Sequence, residues 1–156
     1  LGNGIPNMLP RHPNAIWHGL ADDRYTGMFI TDGHHLPPEF IKTALRAKGV
    51  ERAIVVSDAA AIAGMPPGRY ANLGRDVVLE PSGKLHDPVR GCLVGSASTM
   101  LECMNHLASL ELLSRDEMMK VGRENPLRLI GADADVAAAP CLEYDADARR
   151  FVLLAG

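Results

Sequence analysis

No stretch of this 156-residue chain approaches the ~20 consecutive apolar residues needed to cross a bilayer. The longest, residues 53–56 and 59–63, are parted by Ser57-Asp58, so neither a transmembrane helix nor a membrane partner is expected. Cysteine is scarce. Cys92, Cys103 and Cys141 are widely spaced and form no CxxC or CxxH pair, which argues against a disulfide framework or zinc ribbon and for a reducing, cytoplasmic setting. Clustered basic charge is lacking too: the formal net charge is -3 and Lys and Arg are scattered. The electrostatic footprint that a phosphate backbone requires is therefore missing, and nucleic acid is not an expected partner. The amino end, Leu1-Gly2-Asn3-Gly4-Ile5-Pro6, has no initiator Met and no basic stretch before an apolar core, so it reads as a start in mid-protein rather than a signal peptide.

What is there is the composition of an ordinary globular domain, 47% hydrophobic and 22% charged. Residues 1–26 carry closely spaced Gly, Pro and Asn, predicting a loop-rich segment with one short helix around residues 16–21. Residues 27–31 form an apolar run closed by Asp32-Gly33, the pattern of a buried strand ending in a turn. Pro37-Pro38 then suits the first turn of a helix whose apolar stripe (Phe40, Ile41, Ala44, Leu45, Ala47) runs to Gly49. Residues 52–57 repeat the strand signal and deliver Asp58 at its carboxyl end, so 27–58 reads as a βαβ unit with parallel strands. Runs at 70–73 and 76–80, with a turn at Pro81-Ser82-Gly83-Lys84, suggest a β-hairpin insertion. Thr99 is an N-cap candidate for a helix carrying Met100, Cys103, Met104, Leu107, Leu110 and Leu113 on one side, and Ser114-Arg115-Asp116-Glu117 resembles a capping box. Asn125-Pro126 is expected to begin a third short helix that Gly131 ends, and residues 150–154 a final strand. The class is α/β, yet two parallel strands with their helices cannot bury both faces of a sheet unless other strands complete it.

Asp58 leads the candidates for chemistry, because an acid at the carboxyl end of a buried parallel strand sits where α/β proteins place their active sites. Read alone, it serves equally well as an N-cap for the Ala-rich segment that follows. His34 and His35 occupy the equivalent place after the other strand, and the pairing of His35 with Asp58 favours function over a satisfied core histidine. Asn3-Gly4 and Arg11 lie where glycine admits an anion to backbone N–H groups and arginine grips phosphate in a bidentate fork, although by themselves these residues read more readily as a solvated arginine in a flexible loop. Leu93-Val94-Gly95-Ser96 could line a ligand before a helix N-terminus but reads more readily as a turn. Cys92, Cys103, Met100 and Met104 read as core packing, Trp17 as a packing residue at the loop's edge, and His12, His18, His86 and His106 have no metal-ligand spacing.

Taken together, these segments resemble the latter part of the N-acetylglucosamine-6-phosphate deacetylases, amidohydrolase-superfamily enzymes built on a (β/α)8 barrel. The family's Thr-His-Leu-x-Asn-Ala-Met followed by Arg-x-Pro-Gly is met by Leu1-Gly2-Asn3-Gly4-Ile5 and Arg11-His12-Pro13-Asn14. Its Ala-Asp-Gly-x-His-Val appears as Thr31-Asp32-Gly33-His34-His35-Leu36, and its Val-Thr-Asp-Ala as Val56-Ser57-Asp58-Ala59. Its Leu-x-Gly-Ser-x-x-Thr-Met is met at residues 93–100, and Asn125-Pro126-x-Arg128-x-x-Gly131 matches near the end. Gly2, Gly4, Ile5 and Asn14 depart from the family's residues, beside the expected phosphate site, where specificity lives.

The resemblance implies that residues 1–131 are a partial barrel domain: the last two βα units of a TIM-type barrel, strands seven and eight, with a hairpin insertion and C-terminal helices. A whole barrel needs ~250 residues. Residues 132–156 would be a tail returning to a small β domain. The implied activity is metal-dependent hydrolysis of an amide, deacetylating a phosphorylated N-acetyl amino sugar, with Asp58 as general base and then general acid. Asn3, Gly4 and Arg11 would hold the phosphate, His35 the sugar or scissile group, and Leu93, Val94 and Gly95 the acyl side. A divalent ion, zinc or similar, would be held by ligands upstream of Leu1, with none assigned in this chain. The family's arginine can come from a neighbouring subunit, which implies a homodimer. The alternatives are an amidohydrolase for another small amide, or an incompetent piece that completes a partner chain such as the missing N-terminal barrel half.

Overall fold

A computed structural model describes residues 1–2, 5, 8–132 and 142–154. Its first regular element, α1 (Ala15–Ala21), is capped by Asn14, whose Oδ1 accepts from the Ile16 and Trp17 N–H groups at 3.0 and 3.2 Å. Strand β1 (Gly27–Ile30) leads through α2 (Pro38–Lys48) and a 3-10 turn (Val50–Arg52) to β2 (Ala53–Val56). The two strands pair in parallel, Gly27 opposite Ala53 through Ile30 opposite Val56, so the βαβ unit expected from the apolar runs is present. Pro38 opens α2, where a missing N–H costs nothing, and Gly49 ends it at φ 76°. Ile41, Ala44 and Leu45 of α2 pack with Phe29 and Val55 of the strands and with Cys103, Leu107, Met118 and Val121 of later helices into the main core. Lys48 is buried with them and is satisfied by donating to the Gly19 and Asp22 carbonyls at 2.9 and 2.6 Å, which fastens the end of α1 to α2.

The insertion differs from the expected hairpin. Strands β3 (Gly68–Asn72), β4 (Arg75–Leu79), β5 (Leu85–Asp87) and β6 (Cys92–Leu93) form a four-stranded antiparallel sheet in sequence order. The first hairpin closes on Leu73-Gly74, both at positive φ (50° and 75°), the twist that two-residue hairpin loops demand. Pro81-Ser82-Gly83-Lys84 instead turns β4 into β5, with Glu80 and Lys84 bracketing it through a 2.9 Å backbone hydrogen bond. Ile62, Val77, Leu79 and Leu85 make a second, smaller apolar cluster under this sheet. Cys92, expected to pack in a core with Cys103, Met100 and Met104, is instead exposed on its last strand.

Helix α3 (Met100–Ser109) begins at a Thr99–Glu102 capping box, and α4 (Arg115–Met119) at the matching Ser114–Glu117 box. The α3 stripe stops short of Leu113, because Glu111 turns the chain at φ 54°. The expected third short helix does start at Asn125 and stop before Gly131, but it is continuous with α4. A wide π turn, Lys120–Glu124, carries α4 straight into α5 (Asn125–Leu129), with Asn125 N–H donating to Lys120 O. Pro126 lacks the N–H that a regular turn would use, and widening the turn before it absorbs the mismatch. Strands β7 (Leu142–Asp145) and β8 (Arg150–Leu153) form a hairpin whose Phe151 joins the main core, with Asn105 bonding its backbone N–H and carbonyl at 2.6 and 3.1 Å.

The Asn-Pro-x-Arg motif has a structural explanation. Asn125 is buried, and its Nδ2 donates to Val50 O and Ala53 O at 2.7 and 2.8 Å, while its Oδ1 accepts from Arg128 at 2.8 Å. It thus clamps the start of β2 to α5. Asn125→Ala strands those buried carbonyls and should lower unfolding free energy by about 2 kcal/mol. A chemical denaturation curve superposing on that of wild type would remove the clamp from the account.

Candidate functional site at the strand ends

The carboxyl ends of β1 and β2 are tied together by one carboxylate. Asp32, the second residue after β1, sits with its side chain 1% exposed. Its Oδ1 accepts from the His34 and His35 backbone N–H groups at 2.9 and 3.0 Å. Its Oδ2 is shared between His35 Nδ1 at 2.8 Å and Ser96 Oγ at 2.7 Å. Burial on its own would raise the acid's pKa. The hydrogen bonds from the His35 ring, the two backbone N–H groups and Ser96 outweigh it and hold the carboxyl far below the usual carboxylate range.

An ionised carboxylate only accepts, so His35 Nδ1 must carry a proton. His34 is fixed differently: its Nε2 lies 3.2 Å from Ser82 O, which makes that nitrogen the donor and seats the β4–β5 turn beside the loop after β1. Thr31 Oγ1 donates to Cys103 O at 2.8 Å, anchoring the same loop to α3. Burial, with the nearby Asp32 and Glu102 charges, pushes the Cys103 thiol up to about 11, so Cys103 is a packing residue and no nucleophile.

Ser96 passes the connection to Asp58. Its backbone N–H donates to Asp58 O at 2.9 Å and its carbonyl accepts from Ala60 N at 2.7 Å, a parallel bridge that brackets Ala59 and holds the Asp58 carbonyl beside it. Asp58 is exposed and held at φ 50°, a left-handed conformation that aspartate tolerates better than most residues and that is common at functional sites. Gly95, at φ 69°, allows the close approach: a Cβ there would lie 3.2 Å from Asp58 O and 3.3 Å from Ala60 Cβ. The structure thus joins the His35 ring and the Asp58 backbone in one hydrogen-bonded frame through Asp32 and Ser96, with Gly95 packed close against it.

The other expected residues are placed apart from that frame. Val94 packs on the second apolar cluster and bonds Leu85 O from its backbone N–H at 3.3 Å, and Leu93 pairs with His86 in β6. Arg11 is exposed in the loop before α1, and among the described residues no hydrogen bond or ion pair joins its guanidinium to the strand ends. Its backbone is pinned nevertheless: Arg11 O accepts from Asn14 Nδ2 at 3.2 Å and Trp17 Nε1 at 3.3 Å. Trp17 therefore does more than pack. Asn3 and Gly4 lie outside the described residues. A cleft of about 330 Å³ between α1 and α2 is lined by Ile16, Trp17, Leu20, Phe40 and Ala44, among others, and by none of the strand-end residues.

Among the described residues no group of three or more His, Cys, Asp and Glu side chains is placed to hold a metal ion. Likewise, no helix among them is long and apolar enough to cross a membrane.

Sequence reasoning missed Asp32 and Ser96. The signal for Asp32 was the Asp-Gly-x-His spacing, which lets one carboxylate cap the turn and reach a histidine three residues on. Ser96 stood in the matched Leu-x-Gly-Ser segment, but nothing local signalled its pairing with Asp32 sixty-four positions away.

The frame makes a pH prediction. Asp32 has a folded pKa below its unfolded value of about 3.9, so its contribution is fully present above that value and is lost as pH falls through the folded pKa. Asp32→Asn should therefore be less stable than wild type near neutrality, by about 2 kcal/mol. The gap should narrow below about pH 4. Paired melting curves between pH 7 and 3 check this, and a gap independent of pH would contradict it.

Comparison with known proteins gives a consistent answer. The chain is 33% identical over 157 residues to the N-acetylglucosamine-6-phosphate deacetylase of Danio rerio, covering 94% of this chain and 37% of that protein. It is 29% identical to the N-acetylgalactosamine-6-phosphate deacetylase of Escherichia coli O157:H7, covering 84% of this chain and 34% of the relative. The chain thus spans about a third of the length of these relatives. It superposes with a TM-score of 0.77 on the N-acetyl-D-glucosamine-6-phosphate deacetylase of Mycobacterium smegmatis, an aspartate-to-alanine mutant in complex with N-acetyl-D-glucosamine-6-phosphate. That match has 25% identity and covers 96% of this chain and 43% of the other. No family model matches the chain.

Proposed function

Since this chain is a homologue of the N-acetylglucosamine-6-phosphate deacetylases and resembles their C-terminal part, we propose that it supplies the proton-transfer side of a deacetylase site for an N-acetyl amino-sugar 6-phosphate. The observation that carries this reading is the frame itself: an aspartate and a histidine, each following a parallel strand, linked through Asp32 and Ser96. In this reading β1 and β2 are neighbouring strands of a (β/α)8 barrel whose other strands lie outside this chain. The metal dependence of the reaction belongs to the same proposal. When bound, a divalent ion would acidify the attacking water and polarise the amide carbonyl, on ligands outside the described residues.

Asp58 accepts the proton of the attacking water as its oxygen bonds to the acetamide carbonyl carbon. It then returns that proton to the nitrogen as the C–N bond breaks, leaving acetate and a free amine. One carboxylate serves both steps because the second reverses the first. His35 offers Nε2 to the sugar or the scissile group. Arg11, with Asn3 and Gly4, holds the phosphate, and a partner subunit in a homodimer is one source of that contact. A cytoplasmic setting suits a phosphorylated sugar as substrate.

The test is to compare kcat/KM of the full-length protein for acetate release from N-acetylglucosamine 6-phosphate, its galactosamine epimer and the unphosphorylated sugars. The reading expects both phosphates to be hydrolysed and the unphosphorylated sugars to be at least tenfold poorer, the scale of a lost charged hydrogen-bond pair. No acetate from either phosphate would reject it.

A further inference from the structure

We propose that Asp32, bridged by Ser96, is the positioning residue of this site: it locks His35 with the proton on Nδ1 so that Nε2 is the atom that meets the substrate. The proposal rests on the deacetylase reading for the identity of that substrate. It stands on the division of labour between the two carboxylate oxygens. Oδ1 takes the His34 and His35 backbone N–H groups at 2.9 and 3.0 Å, which is all that capping the turn requires. Oδ2 does something else. It accepts from the His35 ring at 2.8 Å and from the hydroxyl of Ser96 at 2.7 Å.

Ser96 is itself held on both sides. Its Oγ accepts from Ser98 N at 3.1 Å, which directs its hydroxyl hydrogen toward Asp32, and its backbone N–H holds the Asp58 carbonyl in the bridge that brackets Ala59. The side chain is buried and the ring of His35 is 6% exposed, so water does not compete for these bonds. Since the carboxylate only accepts, Nδ1 keeps its proton whether the ring is neutral or cationic, and Nε2 is the only nitrogen that can gain or lose one. The same chain of bonds sets the spacing between His35 and Asp58, because Asp32 grips the first and Ser96 the second.

Asparagine at position 32 separates this role from simple turn capping. In Asp32→Asn the amide oxygen can still accept both backbone N–H groups, so the turn survives. The amide nitrogen replaces Oδ2 with a donor. The Ser96 hydroxyl can rotate to accept, whereas the His35 ring can accept only by moving its proton to Nε2. Substrate then meets a donor where the wild-type neutral ring offers a lone pair, the same logic by which a wrong tautomer disables a catalytic histidine.

The experiment is nitrogen-15 NMR of the His35 ring in the full-length protein, together with kcat and KM for acetate release. Wild type should show neutral His35 protonated on Nδ1, Ser96→Ala should keep that tautomer, and Asp32→Asn should switch it to Nε2. Asp32→Asn should also lose at least tenfold in kcat/KM for the sugar phosphate. A wild-type His35 protonated on Nε2, or an unchanged tautomer in Asp32→Asn, overturns the proposal whatever the activity. If Asp32→Asn does not fold, the wild-type and Ser96→Ala spectra decide it. The expected tautomers in a protein that releases no acetate would reject the deacetylase reading and leave the positioning of His35 in place.

Discussion

Asp58→Asn in the full-length protein is expected to lower kcat for deacetylation by ~10²-fold or more while leaving substrate affinity close to wild type. The side chain keeps its size but can no longer accept the proton of the attacking water or return it to the leaving amine. The alternative reading, a helix cap, makes a different forecast, because asparagine caps nearly as well as aspartate. The structure sharpens the contrast. No regular helix follows Asp58: the next residues, Ala59 and Ala60, are taken up by the bridge to Ser96, and the next α-helix in the chain is α3. A cap has nothing to cap there. Asparagine also tolerates the left-handed conformation found at φ 50°, so Asp58→Asn should melt near wild type. Loss of turnover without loss of stability separates proton transfer from architecture.

Arg11→Ala is expected to raise KM for the phosphorylated sugar by more than tenfold, the scale of one lost charged hydrogen-bond pair at ~1.5–3 kcal/mol. Its exposed side chain and pinned backbone suit a group that waits for an anion. The change should be confined to phosphorylated substrates, and kcat should move little, because the phosphate is bound alike in ground and transition states. Equal KM values for Arg11→Ala and wild type would take Arg11 out of the site. An Asn14→Ala variant should show part of the same effect, since Asn14 caps α1 and bonds the carbonyls of Pro10 and Arg11.

Asn14 also shows how the sequence can be read correctly for one purpose and missed for another. It stands at the glycine position of the Arg-x-Pro-Gly pattern, a departure beside the expected phosphate site. In the structure it is the N-cap of α1. The βαβ unit was legible because its signals are local and strong: apolar runs closed by Asp32-Gly33 and Ser57-Asp58, a Pro-Pro helix start and a glycine stop. Both capping boxes were legible for the same reason. The four-stranded sheet was not, because β5 and β6 are three and two residues long, too short for alternation to register. Its first turn falls on Leu73, a residue that carries no turn signal, while Pro81-Ser82-Gly83 carries a strong one. Asp58 and His35 could be found from their place after strands. The frame that links them could not, since Asp32 and Ser96 meet only through tertiary packing.

The proposed proton transfer by Asp58 in deacetylation of an amino-sugar phosphate has a direct kinetic signature. It is tested most directly in a single turnover, with full-length enzyme in excess over N-acetylglucosamine 6-phosphate. Bound substrate, acetate and free amine are followed together for wild type and Asp58→Asn. Both proteins are expected to bind the sugar phosphate equally, wild type to yield one acetate and one amine per sugar, and Asp58→Asn to form them more slowly by ~10²-fold or more. Acetate and amine appearing equally fast in the two proteins would contradict it.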